Sequence, residues 1–357
     1  MFPVDSLSGQ PENLPVGGRL KFFWQRWSEM GASRRVVRWL RHGYPLRFCS
    51  PPPRLALQAP QYLVTSYANP VKEQALGEML GDLVAKNCIR EMLPKEEGFF
   101  SRVFLVPKRS GNFRLVIDLS ELNRLLAPVT FQMDTLAKVK QAAMPGMWAT
   151  SLDLKDAYHH IPIHDRSQQF LCFQVGNRRF RYLVLPFGLM SAPWVFTEVM
   201  KQIKRWSVAL RMLLFQYIDD WLNLHFSQTR SRLSTTALVE LCLKLGLLVN
   251  IAKSELSPTQ SIVFLGERLD LQEAMAFTTQ DRLHRLQCLL APVLQSGSIP
   301  SAQAEQLLGL LVATFPTVPY GRLFLRSFQW EVIRGIRRGR SARRLLVLSD
   351  MTMKHLA

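Results

Sequence analysis

Two adjacent carboxylates, Asp219 and Asp220, interrupt an apolar run that begins at Met212 and resumes at Trp221. Asp is disfavoured inside β-strands and favoured in turns, so this run predicts a strand, a tight turn and a second strand. The two carboxylates would then lie together at one end of a sheet. A turn without any chemistry is the alternative, and a second acidic strand end elsewhere in the chain favours the chemical interpretation.

That second strand end is Asp153, which follows the short apolar stretch at residues 149–152. If the two strands are neighbours, Asp153 and Asp219 converge, and their mutual repulsion is unfavourable unless cations compensate it. A pair of Mg²⁺ ions would do so, with Mn²⁺ as the alternative ion, because these ions accept one or two carboxylates together with substrate phosphates. Two such ions can clamp an in-line phosphoryl displacement, so the sequence predicts nucleotidyl transfer.

Three stretches resemble, in the correct order, the A, B and C motifs of reverse transcriptases: residues 151–163 (SLDLKDAYHHIPI), 185–193 (LPFGLMSAP) and 217–220 (YIDD). Within that family the wording is closest to DIRS-like and gypsy-like retrotransposons. The resemblance implies an α+β right-hand polymerase of fingers, palm and thumb, with an antiparallel-sheet palm packed on helices. It also implies RNA-directed DNA polymerase activity and a fragment of a longer pol polyprotein that includes ribonuclease H.

The resemblance assigns the metal and catalytic roles residue by residue. Asp153 and Asp219 would ligate both ions, Asp220 would assist, and the backbone carbonyl of Leu154 would complete the shell. Residues 250–254 (NIAKS) resemble motif D, whose lysine would be Lys253, the proton donor to the leaving pyrophosphate.

A second group of residues would bind the incoming deoxynucleoside triphosphate. Residues 103–108 and 113–118 read as a β-hairpin similar to the fingers hairpin of the family, so Lys108 and Arg114 would hold the triphosphate. Tyr158 would lie under the sugar and exclude a ribose 2′-hydroxyl, although a packed core tyrosine is the alternative. Phe187 and Gly188 would lie against the nascent base pair and template.

The resemblance extends to the primer grip, Phe264, Leu265 and Gly266, which would seat the primer 3′ end. The partner is thus expected to be an RNA or DNA primer-template. Two other functions stay open: an inactive or domesticated nucleic-acid-binding relic, and an RNA-dependent RNA polymerase, which would not favour a bulky side chain at position 158.

Composition and motif order predict five parts. They are a basic Pro/Gly/Arg-rich leader at 1–60, fingers with the nucleotide-binding hairpin at 61–133, a palm with the catalytic aspartates at 134–272, a helical thumb or connection at 273–346, and a tail at 347–357 where a ribonuclease H domain would begin. The hairpin at 163–185 belongs to the palm or to the fingers. In the leader, Arg34, Arg38 and Arg41 share one face of a short helix, which would track a phosphate backbone or form an ordinary solvated surface.

Charge and cysteine content agree with a nucleic-acid enzyme inside the cell. The 357 residues contain 45 Lys and Arg against 27 Asp and Glu, a net charge of +18, which favours a polyanionic partner. The five cysteines are widely spaced without a CxxC pair, which argues against a disulfide framework and a zinc site. Without a membrane-spanning apolar run or a secretory signal, we expect an intracellular protein of the cytoplasm or nucleus, not secreted and not membrane-bound. The sequence carries no signal for an oligomeric state.

Overall fold

The computed structural model describes residues 14–107, 111–318, 320–337 and 345–356, and these form two compact units. The first comprises the described residues of Met1–Asp134, Thr150–His225 and Thr229–Ser257, and the second those of Thr135–Ala149, Phe226–Gln228 and Pro258–Ala357. The five-part division of the sequence is finer than this and stays a prediction.

The helices carry the apolar periodicities of the sequence. In the described residues they are α1 (Trp24–Glu29), α2 (Arg34–His42), α3 (Pro70–Ala85), α4 (Ser120–Leu125), α5 (Leu136–Ala142), α6 (Asp165–Gln168), α7 (Ala192–Ala209), α8 (Gln228–Lys244), α9 (Gln280–Ser296), α10 (Ser301–Thr314), α11 (Gly321–Phe324), α12 (Arg326–Arg337) and α13 (Asp350–Leu356). Short 3₁₀ turns lie at Arg19–Phe22, Gln61–Leu63, Ala157–His160 and Ile251–Lys253. The apolar spacing from Asn69 to Leu93 predicts one amphipathic helix. Helix α3 ends at Ala85, because residues 89–91 pair as a strand instead.

The strands form several small sheets. They are β1 (Ile89–Glu91), β2 (Val103–Pro107), β3 (Phe113–Ile117), β4 (Trp148–Asp153), β5 (Cys172–Val175), β6 (Arg178–Tyr182), β7 (Leu213–Tyr217), β8 (Asp220–His225), β9 (Glu255–Thr259), β10 (Ser261–Phe264), β11 (Glu267–Asp270), β12 (Met275–Thr278), β13 (Ser298–Pro300) and β14 (Leu345–Val347). The sheet orders are β7-β8-β4-β9, β1-β6-β5, β2-β3, β10-β11-β12 and β13-β14. The predicted antiparallel hairpins β2–β3, β5–β6 and β7–β8 are confirmed.

The basic N-terminal segment is part of the core of the first unit. Its apolar side chains, including Trp27, Trp39 and Tyr44, are buried in the same cluster as the strands. Arg19, Arg26 and Trp27 donate side-chain hydrogen bonds to the backbone carbonyls of residues 244–246, at the end of α8. Carbonyls at a helix C-terminus lack partners within the helix and favour cationic donors. The segment therefore fixes the end of α8.

The second unit has its own apolar core. Leucines of α9 and α10 pack against Phe328 of α12 and against Ile299 and Leu346. Buried Glu267 on β11 forms an ion pair with Arg282 on α9. The arginines at positions 338, 340, 343 and 344 lie outside the described residues.

All five cysteines are free thiols, and Cys88, Cys172 and Cys242 are buried. In the part of the chain that the structure describes, no helix combines the length and apolarity needed to cross a bilayer.

The buried side chain of His160 connects the segment that follows Asp153 with the segment at Leu248. The Nε2 atom of His160 accepts a hydrogen bond from the backbone N–H of Leu248 at 3.1 Å, and its Nδ1 lies 3.3 Å from the carbonyl oxygen of Ala157. The backbone N–H of Lys155 donates to the carbonyl of Leu248 at 2.9 Å. A neutral ring satisfies both contacts, and burial lowers the pKa of His160 to about 4.

This neutral histidine predicts a pH dependence of stability. An unfolded histidine has a pKa of about 6.5, so between about pH 6.5 and about pH 4 the unfolded chain binds a proton that the folded chain does not. The contribution of His160 to the free energy of unfolding is intact above this range and falls by about 1.4 kcal/mol per pH unit within it. Glutamine can both donate and accept but does not titrate, so His160→Gln should remove this slope.

The measurement is urea unfolding of the wild type and His160→Gln across that pH range. His42→Gln is the control, because His42 is exposed and its replacement should leave the slope of the wild type unchanged. Parallel curves for wild type and His160→Gln would contradict the assignment of a buried, neutral ring.

Candidate active site

The acidic hairpin turns in two residues. Tyr217 pairs with Asp220, so Ile218 and Asp219 form the turn between β7 and β8. The φ of Ile218 is 54°, a left-handed conformation that β-branched residues rarely adopt. Its carbonyl accepts a hydrogen bond from Trp221 Nε1 at 2.9 Å, which holds the turn. Asp219 thus lies at the tip of the turn, while Asp220 is the first residue of β8.

Main-chain hydrogen bonds bring Asp153 next to this turn. The backbone N–H of Leu154 donates to the carbonyl of Asp219 at 3.0 Å, and that of Asn250 donates to the carbonyl of Asp153 at 2.8 Å. The Asp153 N–H donates to Ser254 Oγ at 3.0 Å. Strands β4 and β8 are neighbours, which is the condition under which the two acidic strand ends converge.

The convergence has an electrostatic cost. Burial and the charge of Asp153 raise the pKa of Asp219, and burial, Asp219 and Asp153 raise that of Asp220. The ammonium of Lys253 acts in the opposite direction on both groups. Burial is the larger cause of the raised pKa values and repulsion between the carboxylates the smaller one, and a bound cation would relieve that repulsion.

The side chains of Asp153 and Asp219 fit a Mg²⁺ site in which the protein supplies only a few of the ligands. Within the described residues, no three His, Cys, Asp or Glu side chains form a complete cage for one metal ion. Mg²⁺ does not need such a cage, because it is usually held by one or two carboxylates, waters and substrate phosphates. The partly exposed carboxylates of Asp153 and Asp219 meet this requirement. The contributions predicted for Asp220, which is more exposed, and for the Leu154 carbonyl stay predictions.

Lys253 reaches the site through a short turn. Residues Ile251–Lys253 form a 3₁₀ turn that starts after Asn250, the residue bonded to the Asp153 carbonyl. Ser254 Oγ donates to the Asn250 carbonyl at 2.8 Å and closes the turn. Lys253 is exposed and favours the ionised forms of the aspartates, while its role as a proton donor stays a prediction.

Tyr158 lies beside the aspartates under an exposed aromatic ring. Its ring centroid is 4.8 Å from that of Phe187 and 5.7 Å from that of Phe196. Tyr158 is 4% exposed and Phe187 is 57% exposed. Burial, together with the charge of Asp219, raises the pKa of Tyr158 to about 12. This environment is compatible with both the sugar-gate and the core interpretation of Tyr158.

Asn123 anchors the loop that contains Gly188. Its Nδ2 donates to the Gly188 carbonyl at 2.9 Å, and its Oδ1 accepts from the Met190 N–H at 2.9 Å. Gly188 has φ 94°, and a Cβ there would lie 3.0 Å from the Ile117 carbonyl oxygen, so the position favours glycine. The sequence indicated the glycine but not the role of Asn123, whose only signal was its place in the stretch at residues 118–123.

The remaining predicted residues lie elsewhere in the chain. Arg114 is exposed on β3, opposite Val106, and Lys108 lies outside the described residues. Phe264 ends β10, and Leu265 and Gly266 form its turn to β11 in the second unit. Triphosphate binding and the primer grip therefore stay predictions.

Comparison with known proteins identifies the central part of the chain. Residues 106–269 match the family model "Reverse transcriptase (RNA-dependent DNA polymerase)". The retrovirus-related Pol polyprotein from transposon opus of Drosophila melanogaster is 27% identical over 229 residues, which is 60% of this chain and 21% of that polyprotein. This chain thus spans about a fifth of the length of that relative.

Solved structures with the same fold come from a foamy virus. The foamy viral protease-reverse transcriptase in complex with double-stranded DNA superimposes with a TM-score of 0.66 at 16% identity, over 97% of this chain and 60% of the other. The same protein with an RNA/DNA hybrid gives 0.64 at 15% identity, over 97% and 46%. These similarities confirm the expected α+β right-hand polymerase fold. Residues 106–269 of this chain are thus similar to the reverse transcriptase family, and the chain is similar to a retrotransposon Pol polyprotein.

Proposed function

We propose that this chain is a catalytically active RNA-directed DNA polymerase that extends a primer with deoxynucleoside triphosphates. The observation that carries the proposal is the convergence of Asp153 and Asp219, joined through the 3.0 Å hydrogen bond from Leu154 to the Asp219 carbonyl. A reverse transcriptase domain that had lost its function would have no need to hold two repelling carboxylates at adjacent strand ends.

Different residues of the chain would bind the metal ions, donate the proton and hold the nucleotide. Asp153 and Asp219, with Asp220, would hold two Mg²⁺ ions, which when bound activate the attacking hydroxyl and neutralise charge at phosphate. Lys253, on its turn beside the aspartates, is suited to give a proton to the leaving pyrophosphate. Arg114 and Lys108 would bind the triphosphate, and the Phe187–Gly188 loop, fixed by Asn123, would support the base pair.

The partner proposed for the chain is a primer-template. The solved relatives are complexes with double-stranded DNA and with an RNA/DNA hybrid. A net charge of +18 supports binding of such a polyanion here. We propose RNA as the template, and DNA as a second template.

Removing one carboxylate should abolish synthesis. We expect Asp153→Asn or Asp219→Asn to lower the rate of primer extension by orders of magnitude, because each loses a charged ligand for the metal ions. Binding of the primer-template should change little. The measurement is single-nucleotide extension under saturating primer-template, with affinity measured separately by fluorescence anisotropy.

Asp165→Asn is the matched control, because Asp165 is an exposed aspartate on α6. It makes the same chemical change and should extend at the wild-type rate. Near-normal extension by Asp153→Asn would remove the proposed site, and an inactive wild type that still binds primer-template would favour the relic.

The alternative of an RNA-dependent RNA polymerase is tested at Tyr158. If its ring lies under the incoming sugar, Tyr158→Ala should raise ribonucleotide incorporation relative to deoxynucleotide incorporation. Tyr158→Phe keeps the bulk and should leave the ratio unchanged. If Tyr158 is only a core residue, the loss of a buried aromatic, typically about 3 to 5 kcal/mol, should depress both activities equally.

The quantity to measure is the ratio of kcat/KM for the two nucleotide types in the wild type and both variants. An unchanged ratio in Tyr158→Ala would exclude the residue from sugar selection. A wild type that prefers ribonucleotides would overturn the assignment as a DNA polymerase.

A further inference from the structure

A basic groove lies between α1 and α2 in the first unit. Arg34, Arg38 and Arg41 are exposed, and their spacing of four and three residues puts them on one face of α2. The groove has a volume of about 300 Å³. Its polar and aromatic lining consists of Trp24, Ser28, Arg34, Arg38, Arg41 and His42.

Among the described residues, the three arginines of this groove have no acidic partners. No carboxylate lines the groove, and in the described part of the chain none of the three forms an ion pair. Arg35, on the same helix but not part of the groove lining, pairs with Glu198 on α7. The carboxylate of Glu198 therefore neutralises Arg35, while the three arginines of the groove keep their positive charge.

This arrangement costs stability in the isolated chain. Like charges three and four residues apart on a helix repel one another and destabilise the helix. Arg34 also lies in the first turn of α2, which contains no acidic residue and where the helix dipole disfavours a cation. An anion bound in the groove would remove both penalties.

The arginines are presented on a rigid support. The Ser33 backbone N–H donates to Gln202 Oε1 on α7 at 3.1 Å. The ring of Trp39 packs edge-on against Trp194 with centroids 5.3 Å apart. Because α2 is held in this way, little conformational freedom of the helix is lost when an anion binds.

The groove also contains an aromatic ring under a cation. The guanidinium of Arg41 lies 4.6 Å from the ring centroid of half-buried Trp24. Rings and guanidinium groups beside a positive path are the elements with which proteins bind single-stranded nucleic acids, through base stacking and phosphate contacts.

We propose that this groove is an accessory binding site for single-stranded nucleic acid, RNA or DNA. From Arg34 to Arg41 the helix rises about 10 Å, which is long enough to contact several successive phosphates of one strand. A concave groove between two short helices admits a flexible strand with unstacked bases more readily than a duplex. None of its residues is among those of the candidate active site, so the groove does not depend on the polymerase proposal.

The test measures binding of the full chain to a short fluorescent oligouridylate, by anisotropy over a range of salt concentrations. Single-strand binding has a slope of about −0.7 per phosphate contact in log K against log salt. The triple variant Arg34→Gln, Arg38→Gln, Arg41→Gln should bind roughly tenfold to a hundredfold more weakly at about 0.1 M salt, with a slope shallower by about 2.

A matched pair on the same helix controls for charge and folding. Arg38→Gln should weaken binding and reduce the slope by about 0.7, whereas Arg35→Gln makes the same change outside the groove and should do neither. Circular dichroism and thermal unfolding verify that each variant is folded, and the single variants keep the test decisive if the triple variant does not fold.

Several outcomes would overturn the proposal. One is wild-type affinity and slope in the triple variant, and another is equal losses in Arg35→Gln and Arg38→Gln. The proposal would also be overturned if the triple variant bound a blunt duplex more weakly but oligouridylate as the wild type does. The same holds if the triple variant lost only binding to anionic phosphatidylserine vesicles.

Repeating the measurement with oligothymidylate distinguishes RNA from DNA as the ligand. Equal losses of affinity for the two oligonucleotides would mean that the groove contacts phosphate and not the ribose. A failure of the wild type to extend primers would overturn the polymerase proposal only.

Discussion

The hydrogen bond from the Leu154 N–H to the Asp219 carbonyl joins two strand ends whose side chains repel each other. One such bond contributes only about 0.5 to 1.5 kcal/mol, so it cannot by itself hold the carboxylates together. A buried polar cluster reinforces it. Thr150 on β4 and Thr235 on α8 share a 2.6 Å hydrogen bond between their hydroxyls, and Asn223 on β8 donates to Thr235 Oγ1 at 3.2 Å. The register of β4 against β8 is thereby fixed behind the site.

Hydrogen bonds at the end of α8 also fix the position of the turn that carries Lys253. The N-terminal segment bonds the carbonyls at the end of this helix, and His160 accepts from Leu248 just beyond it. The chain then continues through Asn250, which is bonded to Asp153, into the turn that carries Lys253. Residues that are far apart in the sequence thus determine where one exposed ammonium lies relative to two aspartates. The left-handed conformation of Ile218 lies in a turn that the hydrogen bond from Trp221 Nε1 holds in place.

The sequence predicted the local elements well, because each has a strong local signal. The apolar run interrupted by Asp219 and Asp220 predicted the β7–β8 hairpin, and the short apolar stretch before Asp153 predicted the end of β4. The role of the N-terminal segment was not predictable in this way. Its many arginines and glycines indicated a leader, yet Arg19 is buried and Trp27 and Trp39 enter the core through contacts made by distant segments. Asn123 was missed as an anchor for the same reason, since its two bonds to residues 188 and 190 connect distant parts of the chain.

The central claim is that Asp153 and Asp219 form one cation site, and Mn²⁺ binding followed by electron paramagnetic resonance tests it without requiring activity. The wild-type chain should bind Mn²⁺ saturably, and Mg²⁺ should compete for it. Asp153→Asn and Asp219→Asn should each weaken binding by more than about tenfold, since even outer-shell partners of metal ligands contribute that much, whereas Asp165→Asn should bind as the wild type does. Equal Mn²⁺ affinity in the wild type and both site variants would contradict the account.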